Sequence, residues 1–307
     1  MAEAAALGAG QAAPVPFRRH AAGSDSTGGL LFTVLGELVL PGGGSAWTST
    51  FIDVLARLGV EEKAARQALM RSAEKGWLRS SRVGRRTRWA LTPDAERLLT
   101  EGAERIYTFA GYAHRWDGRW LLVLTRIPET DRAARHRLRT RLSWAGFGSP
   151  APGVWLSAHT ERLAEAEHAL RQASALEEAP IFVVQHRAGA DMAEMVRRAW
   201  DLEAIEASYR EFLASYGARD AADPLAFQVD LVHAWRRFPW LDPTLPLELL
   251  PTDWSGEAAA RLFRRQHDRL AVAANAEWSR LDGSGELTPV GSGWRGPRPM
   301  QARGPTT

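Results

Sequence analysis

The segment from Trp47 to Pro93, WTSTFIDVLARLGVEEKAARQALMRSAEKGWLRSSRVGRRTRWALTP, admits few folds. Phe51, Ile52, Leu55 and Leu58 recur at helical spacing, and Thr48 or Ser49 stands where a capping side chain is needed. Gly59 follows, and glycine tolerates the positive φ of a helix-ending turn. A second helix then aligns Ala65, Ala68, Leu69 and Ala73 in a narrow stripe of small side chains that permits a close helix crossing. Its opposite face carries Lys63, Arg66, Gln67 and Arg71, all hydrogen-bond donors. Gly76 ends that helix, and Trp77-Leu78 begins a strand.

Arg79, Arg82, Arg85, Arg86 and Arg88 then crowd around a turn expected at Val83-Gly84, with no acid between them. A hairpin of one charge sign repels itself until an anion docks against it. Thr92-Pro93 opens a further helix, with Thr92 as its cap. Helix, tight turn, helix and basic hairpin is the order of a winged helix-turn-helix. That device sets one helix in the DNA major groove and rests its hairpin on the backbone. On this reading the DNA-contacting residues are Thr48, Ser49, Lys63, Arg66, Gln67, Arg71, Arg82, Arg85, Arg86 and Arg88. A solvated basic loop on an unrelated domain is the competing reading, and the preceding helix pair weakens it.

The remaining composition narrows the class. A chain of 307 residues has room for two or three domains, and 45% apolar with 24% charged residues is ordinary for a globular protein. A formal charge of only +3 excludes a histone-like polycation, so any basic function is local. The absence of cysteine excludes disulfides, thiolate metal sites and a cysteine nucleophile, and suits a reducing cytoplasm. No apolar run reaches the length of a membrane span, and the N-terminus lacks the charge-then-hydrophobic order of a signal peptide. Residues 1–28 and 282–307 read as disordered leader and tail.

Leu30–Leu40 is nearly all apolar. It reads as a buried first helix capped by Asp25, Ser26 or Thr27, with a strand as the alternative. The PGGGS that follows lacks the Gly-Lys-Ser/Thr of a phosphate loop and is a connector. Farther on come the strand Trp120–Thr125, the arginine-rich helix Glu129–Trp144, the strand Gly153–Ser157, the helix Glu161–Gln172 and the strand Ile181–His186. With a strand near Gly146-Phe147-Gly148, this is the order of a ferredoxin-like α/β sandwich. Its Arg132, Arg135, Arg137, Arg139 and Arg141 read mainly as a solvated face, with contact to DNA or a partner as the lesser reading. Helical spacing resumes from Met192, and a last helix runs from Gly256 to about Arg280, capped by Ser255, with Leu262, Phe263, Leu270 and Val272 on its apolar side. The expected class is α+β: an N-terminal winged helix-turn-helix over 29–110, a central ferredoxin-like domain over 116–190 and a C-terminal helical domain over 191–281.

Long ordered stretches of the chain resemble the PaaX family of bacterial repressors. They include LLFTVLGELVLPGGGSAWTS, VEEKAARQALMRSAEKGWLRSSRVGRRTRWALTP, WDGRWLLVLTRIPE, RLRTRLSWAGFG, APGVWLS, RAWDLEAIEASYREFL, VHAWRRFPWLDPTLPLELLPTDWSG and ARLFRRQHDRL. The resemblance covers about Gly28 to Leu281. It implies those three domains, a homodimer on an inverted-repeat operator of double-stranded DNA, and repression of an aromatic-acid catabolic operon. It also implies release by an acyl-CoA thioester effector such as phenylacetyl-CoA. The family's recognition helix falls on Glu61–Lys75 and its wing on Arg79–Trp89. The central domain further resembles the small nuclease-like subunit of CRISPR adaptation complexes, whose catalytic members place a metal-binding aspartate at the end of the first strand. Here that strand ends Leu124-Thr125-Arg126, and the next carboxylate is Glu129 beyond Pro128, so no nuclease is expected.

No enzyme activity, metal site or cofactor is expected from the other residues. The eight histidines show no i, i+3 or i, i+4 pairing, and His159 and His168 read as surface residues. The segment holding His233, Arg236, Arg237 and Trp240 is the best candidate for effector contact, since adjacent arginines beside aromatics suit a phosphate and a flat ring. The competing reading, which the residues favour, is a helix end with tryptophans on the core and arginines toward water or carbonyls. The rival to the whole functional reading is a ligand-binding or protein-interaction module with a vestigial wing.

Overall fold

The computed structural model describes residues 26–109, 116–128, 130–187, 189 and 191–283. The leader up to Asp25, the tail from Ser284 and Glu129 lie outside the described residues. The fold is α+β with two small sheets. The described residues up to Glu104, together with those from Ala273 onward, form one compact unit, and Arg105–Val272 form the other.

The first unit begins with helix α1 (Thr27–Val34), which runs into a π-helical turn over Leu35–Val39. The Ser26 hydroxyl accepts the N–H of Gly29 at 3.1 Å and caps it, one of the three caps expected. The stretch is helical rather than extended because Leu31, Val34, Leu35, Leu38 and Val39 bury successive helical positions. After the glycines, Ser45–Trp47 forms a short strand β1 that the sequence reading did not anticipate. Helices α2 (Thr48–Arg57) and α3 (Glu62–Glu74) follow, joined through Gly59 at φ 78°. They bury Phe51, Val54 and Leu55 against Ala65, Ala68 and Leu69. Ile52, Leu58 and Ala73, expected in the stripes, are only half-buried.

Strands β2 (Leu78–Val83) and β3 (Arg86–Leu91) make the hairpin, and β1 pairs on the far side of β3, giving the antiparallel order β1-β3-β2. The turn sits one residue later than expected. Val83 pairs with Arg86, so Gly84 and Arg85 are the central residues, with positive φ (60°) confined to Gly84. That is the type II′ pattern, whose twist suits a two-residue hairpin. Helix α4 (Pro93–Thr108) follows, its Ala95 N–H capped by Thr92 as expected.

In the second unit, β4 (Arg119–Leu124), α5 (Arg132–Trp144), β5 (Gly148–Ala151), β6 (Val154–Ser157), α6 (Leu163–Gln172) and β7 (Ile181–Gln185) succeed one another. The sheet is antiparallel in the order β5-β6-β4-β7. Alternation along β4 sends Leu121 and Val123 toward α5 and α6, where they meet Leu138, Leu142 and Leu170. Trp120 points the other way, into an aromatic core with Trp200, Tyr209, Phe212, Trp235, Phe238 and Phe263. Tyr209 and Phe212 come from α8 (Leu202–Gly217), Trp235 from α9 (Pro224–Trp235), Phe238 from α10 (Phe238–Leu241) and Phe263 from α11 (Gly256–Asp282), while Trp200 follows α7 (Met192–Ala199). Trp120, Leu156 and Ala158 of the sheet segment thus pack with residues of these helices in one core. The last turns of α11 belong to the first unit instead. Val272, expected on the apolar side of α11, is 82% exposed.

Candidate nucleic-acid interface

Helix α3 turns its alanine stripe inward, which leaves Lys63, Arg66, Gln67 and Arg71 exposed at i, i+3 and i+4 intervals on the opposite side. Met70 stands among them, 53% exposed. Sequence reasoning passed over it, although its spacing from Arg66 and Gln67 places it on the same face. An exposed thioether there offers apolar contact of the kind a thymine methyl provides for. Arg66 is not independent: its Nε donates to the Glu62 carboxylate at 2.8 Å, one turn earlier. Lys63 and Arg71 have no ion pair among the described residues.

The hairpin presents Arg79, Arg82, Arg85 and Arg86 as exposed side chains. Arg79 and Arg85 are without ion pairs among the described residues, and Arg82 makes only a long bond to the Gly84 carbonyl, 3.4 Å. Arg86 lies over the Trp47 ring, 4.1 Å from its centroid, and donates to Ser49 Oγ at 3.4 Å. Arg88 is half-buried. Its guanidinium lies 5.0 Å from the same ring, its Nε donates to Ser45 Oγ at 3.0 Å, and its Nη2 faces the Asp282 carboxylate at 3.5 Å. The acid missing from the hairpin sequence thus arrives from the far end of the chain.

Asp282 organises the start of α2. Its Oδ1 accepts from the Trp47 N–H at 3.0 Å and the Thr50 hydroxyl at 2.9 Å, and its side chain is only 3% exposed. Neither Thr48 nor Ser49 caps α2; Trp47 holds the cap position without a side-chain bond. The Thr48 hydroxyl instead donates to the Thr87 carbonyl at 3.1 Å and accepts from Trp89 Nε1 at 2.9 Å, fixing α2 to β3. Of the ten expected DNA contacts, Ser49, Lys63, Arg66, Gln67, Arg71, Arg82, Arg85 and Arg86 are exposed, whereas Thr48 and Arg88 are half-buried and internally bonded.

The four candidate effector residues lie in the second unit at the end of α9 and in α10. His233 is buried, and Arg236 is 4% exposed, with burial pushing its pKa down to about 10. Arg237 faces Glu211 at 3.6 Å and lies over Phe238. Trp240 is half-buried beneath Arg105, whose guanidinium is 3.9 Å from its ring centroid. Trp235 is buried in the aromatic core, Trp240 is half-buried outside it, and Arg236 is enclosed rather than facing water. His159 is not a surface residue: its Nε2 is 2.8 Å from the Thr244 carbonyl, and burial lowers its pKa. His168 is half-buried.

Among the described residues no group of three or more His, Asp and Glu is arranged to hold a metal ion, and no helix is long and apolar enough to cross a membrane. Residues 26–95 match the family model described as PaaX-like protein, residues 113–196 that of the PaaX protein central Cas2-like domain, and residues 200–280 that of the PaaX-like protein C-terminal domain. The transcriptional repressor PaaX of Escherichia coli (strain K12) is 32% identical over 276 residues, spanning 85% of this chain and 86% of that protein. An uncharacterized protein from Mycobacterium tuberculosis has a similar structure. Its TM-score is 0.54 at 24% identity, over 75% of this chain and 91% of that one.

Proposed function

The chain belongs to the PaaX family, and from that premise we propose that it is a DNA-binding transcriptional repressor acting through its N-terminal unit. The observation that carries the reading is the set of exposed cations Lys63, Arg71, Arg79 and Arg85 on α3 and the hairpin, which have no ion pair among the described residues. Phosphate is the anion that such an arrangement fits. On this reading residues 29–110 act as a winged helix-turn-helix. Helix α3 enters the major groove and the hairpin lies across the adjacent backbone or minor groove.

Residues 116–190 are a ferredoxin-like domain on this proposal, supported by the β5-β6-β4-β7 order, and 191–281 supply the helical remainder. The protein works as a cytoplasmic homodimer on an inverted repeat whose half-sites lie about one helical turn, ~34 Å, or a multiple apart. It represses an aromatic-acid catabolic operon and leaves its operator when an acyl-CoA thioester such as phenylacetyl-CoA binds. The test is fluorescence anisotropy on the DNA upstream of its own gene and on a scrambled duplex, at fixed salt, with and without phenylacetyl-CoA. Selective binding reversed by the thioester is expected. Equal affinity for both duplexes would overturn the repressor reading.

A further inference from the structure

Two cavities in the second unit share part of their wall. One, of about 860 Å³, is lined by Arg126, Arg132, Arg135 and Arg139, with Glu178 as the carboxylate on its rim. The other, of about 530 Å³, is lined by Phe147, Trp200, Trp240 and Leu241 together with Arg198 and the carboxylate of Asp201. Arg139, Ser149 and Trp155 belong to both. Each lies in the usual size range of ligand sites, roughly 300–1,000 Å³.

The arginines of the first cavity are not an ordinary solvated helix face. On other helices of this chain several arginines sit on carboxylates one turn away, as in Arg66–Glu62, Arg171–Glu167, Arg197–Glu194 and Arg261–Glu257, although Arg71 of α3 does not. Helix α5 contains no acid at all, and Arg126, Arg132 and Arg139 have no ion pair among the described residues. Guanidinium groups gathered in one concavity repel until an anion arrives, and their planar forks suit phosphate. Beside Arg139, Arg198, Asp201 and three serines, the second cavity has an aromatic wall. Trp200 is held rigidly there, stacked on Trp120 at 6.2 Å and bonded through Nε1 to the Gly146 carbonyl, and Leu241 is 46% exposed at the wall. Such a wall suits a flat apolar group.

We propose that the two cavities form one bipartite site, for a ligand multiply phosphorylated at one end and flat and apolar at the other, which passes Arg139 and Trp155. An aryl-acyl thioester of coenzyme A has that polarity, so the regulatory consequence rests on the effector reading above. Trp240 keeps a place in this site, and the arginines of α5 replace Arg236 and Arg237 as the phosphate ligands.

The experiment is isothermal titration of the full-length protein with coenzyme A and with phenylacetyl-CoA. The variants are Arg132→Glu/Arg139→Glu and Ala204→Phe; all three side chains are exposed, and Ala204 lines the second cavity. Circular dichroism and melting would verify that both variants fold. Charge reversal is expected to weaken both compounds by about tenfold or more. Ala204→Phe is expected to remove the preference for the acyl form and to leave coenzyme A binding intact. Unchanged thioester binding in both variants would overturn the site and leave the effector reading standing. Thioester binding at this site that does not release operator DNA would overturn the effector reading alone. A charge-reversed protein that keeps its thioester but loses operator DNA would assign the arginines to the nucleic-acid backbone and overturn the proposal.

Discussion

The Asp282 carboxylate and the Trp47 backbone N–H meet at 3.0 Å across 235 residues of sequence. The same oxygen also takes the Thr50 hydroxyl, while the second oxygen faces Arg88. A carboxylate this well buried is tolerated only when its charge and lone pairs are answered, and here the positive end of α2, a hydroxyl and a guanidinium answer them. The consequence is architectural. The start of α2 and the base of the hairpin are set by the last residue of α11, so the basic surface depends on a residue outside the helix-turn-helix segment.

Asp282→Ala is accordingly expected to destabilise the first unit by about 2–3 kcal/mol, the range for losing hydrogen bonds to a buried charged group. Asp282→Asn keeps an acceptor for Trp47 and is expected to cost less. Urea unfolding followed by the fluorescence of Trp47 and its neighbours measures both. A loss under half a kilocalorie for the alanine variant would show that the carboxylate is not what holds α2 in place.

Glu277 supplies a pH dependence in the same unit. The Arg280 guanidinium and then that of Arg57, at 2.7 and 2.6 Å, hold its carboxyl down from 4.5 to about 2. A pKa depressed in the folded state adds stability that is complete above 4.5 and disappears as pH falls through about 2. The groups are near solvent, so the contribution at neutral pH is up to about 1 kcal/mol. Glu277→Gln is expected to be less stable than the parent at pH 7 and to match it only as pH falls below about 2. A constant difference across that range would mean that the glutamate acts through packing rather than charge.

What the sequence made legible was local. The period of α2, the alanine stripe of α3, the Thr92 cap and the apolar run of β4 follow from near neighbours along the chain, and each element formed where its pattern stood. The misses were long-range. Strand β1 is only three residues, too short to carry a pattern, and exists because β3 pairs with it. The hairpin turn slipped by one residue because register, not composition, decides which residues are central. Thr48 had the chemistry of a cap, yet its hydroxyl is taken by Thr87 and Trp89, and no spacing in the sequence announces that pairing. The cavity lined by α5 was visible only as an acid-free run of arginines. Its concavity comes from the loops after β4 and β5.

Gly148 in β5 is expected to resist any side chain. A Cβ there would fall inside contact distance of the Trp200 ring and 2.8 Å from the Ala199 carbonyl oxygen, neither of which can retreat. Trp200 is fixed by its stacking on Trp120 and its bond to Gly146. Gly148→Ala is expected to cost about 1–3 kcal/mol, as overpacking does, and to disturb the sheet-to-helix core. Denaturant unfolding of the variant, with near-ultraviolet circular dichroism reporting on the stacked indoles, gives both quantities. An unchanged midpoint would mean that the strand can shift away from α7.

The face of α3 and the tip of the hairpin are expected to fail in different ways. Gln67 is exposed on α3 with donor and acceptor atoms that can pair with a base edge, and Arg85 stands at the turn with no ion pair among the described residues. Gln67→Ala is expected to cost about 1–3 kcal/mol on the operator and to relax preference at a few base pairs. Arg85→Ala is expected to weaken every duplex to a similar degree and to reduce the slope of log affinity against log salt by about one unit. Arg66 belongs between these cases. Its bond to Glu62 must be exchanged for any DNA contact, so Arg66→Ala loses less than an unrestrained arginine would, and Glu62→Ala tightens binding by removing both the competitor and a repelling charge. Anisotropy titrations on operator and scrambled duplexes at several salt concentrations separate the three. If Arg85→Ala altered sequence preference while leaving the salt slope intact, the hairpin would be reading bases and the backbone assignment would fall.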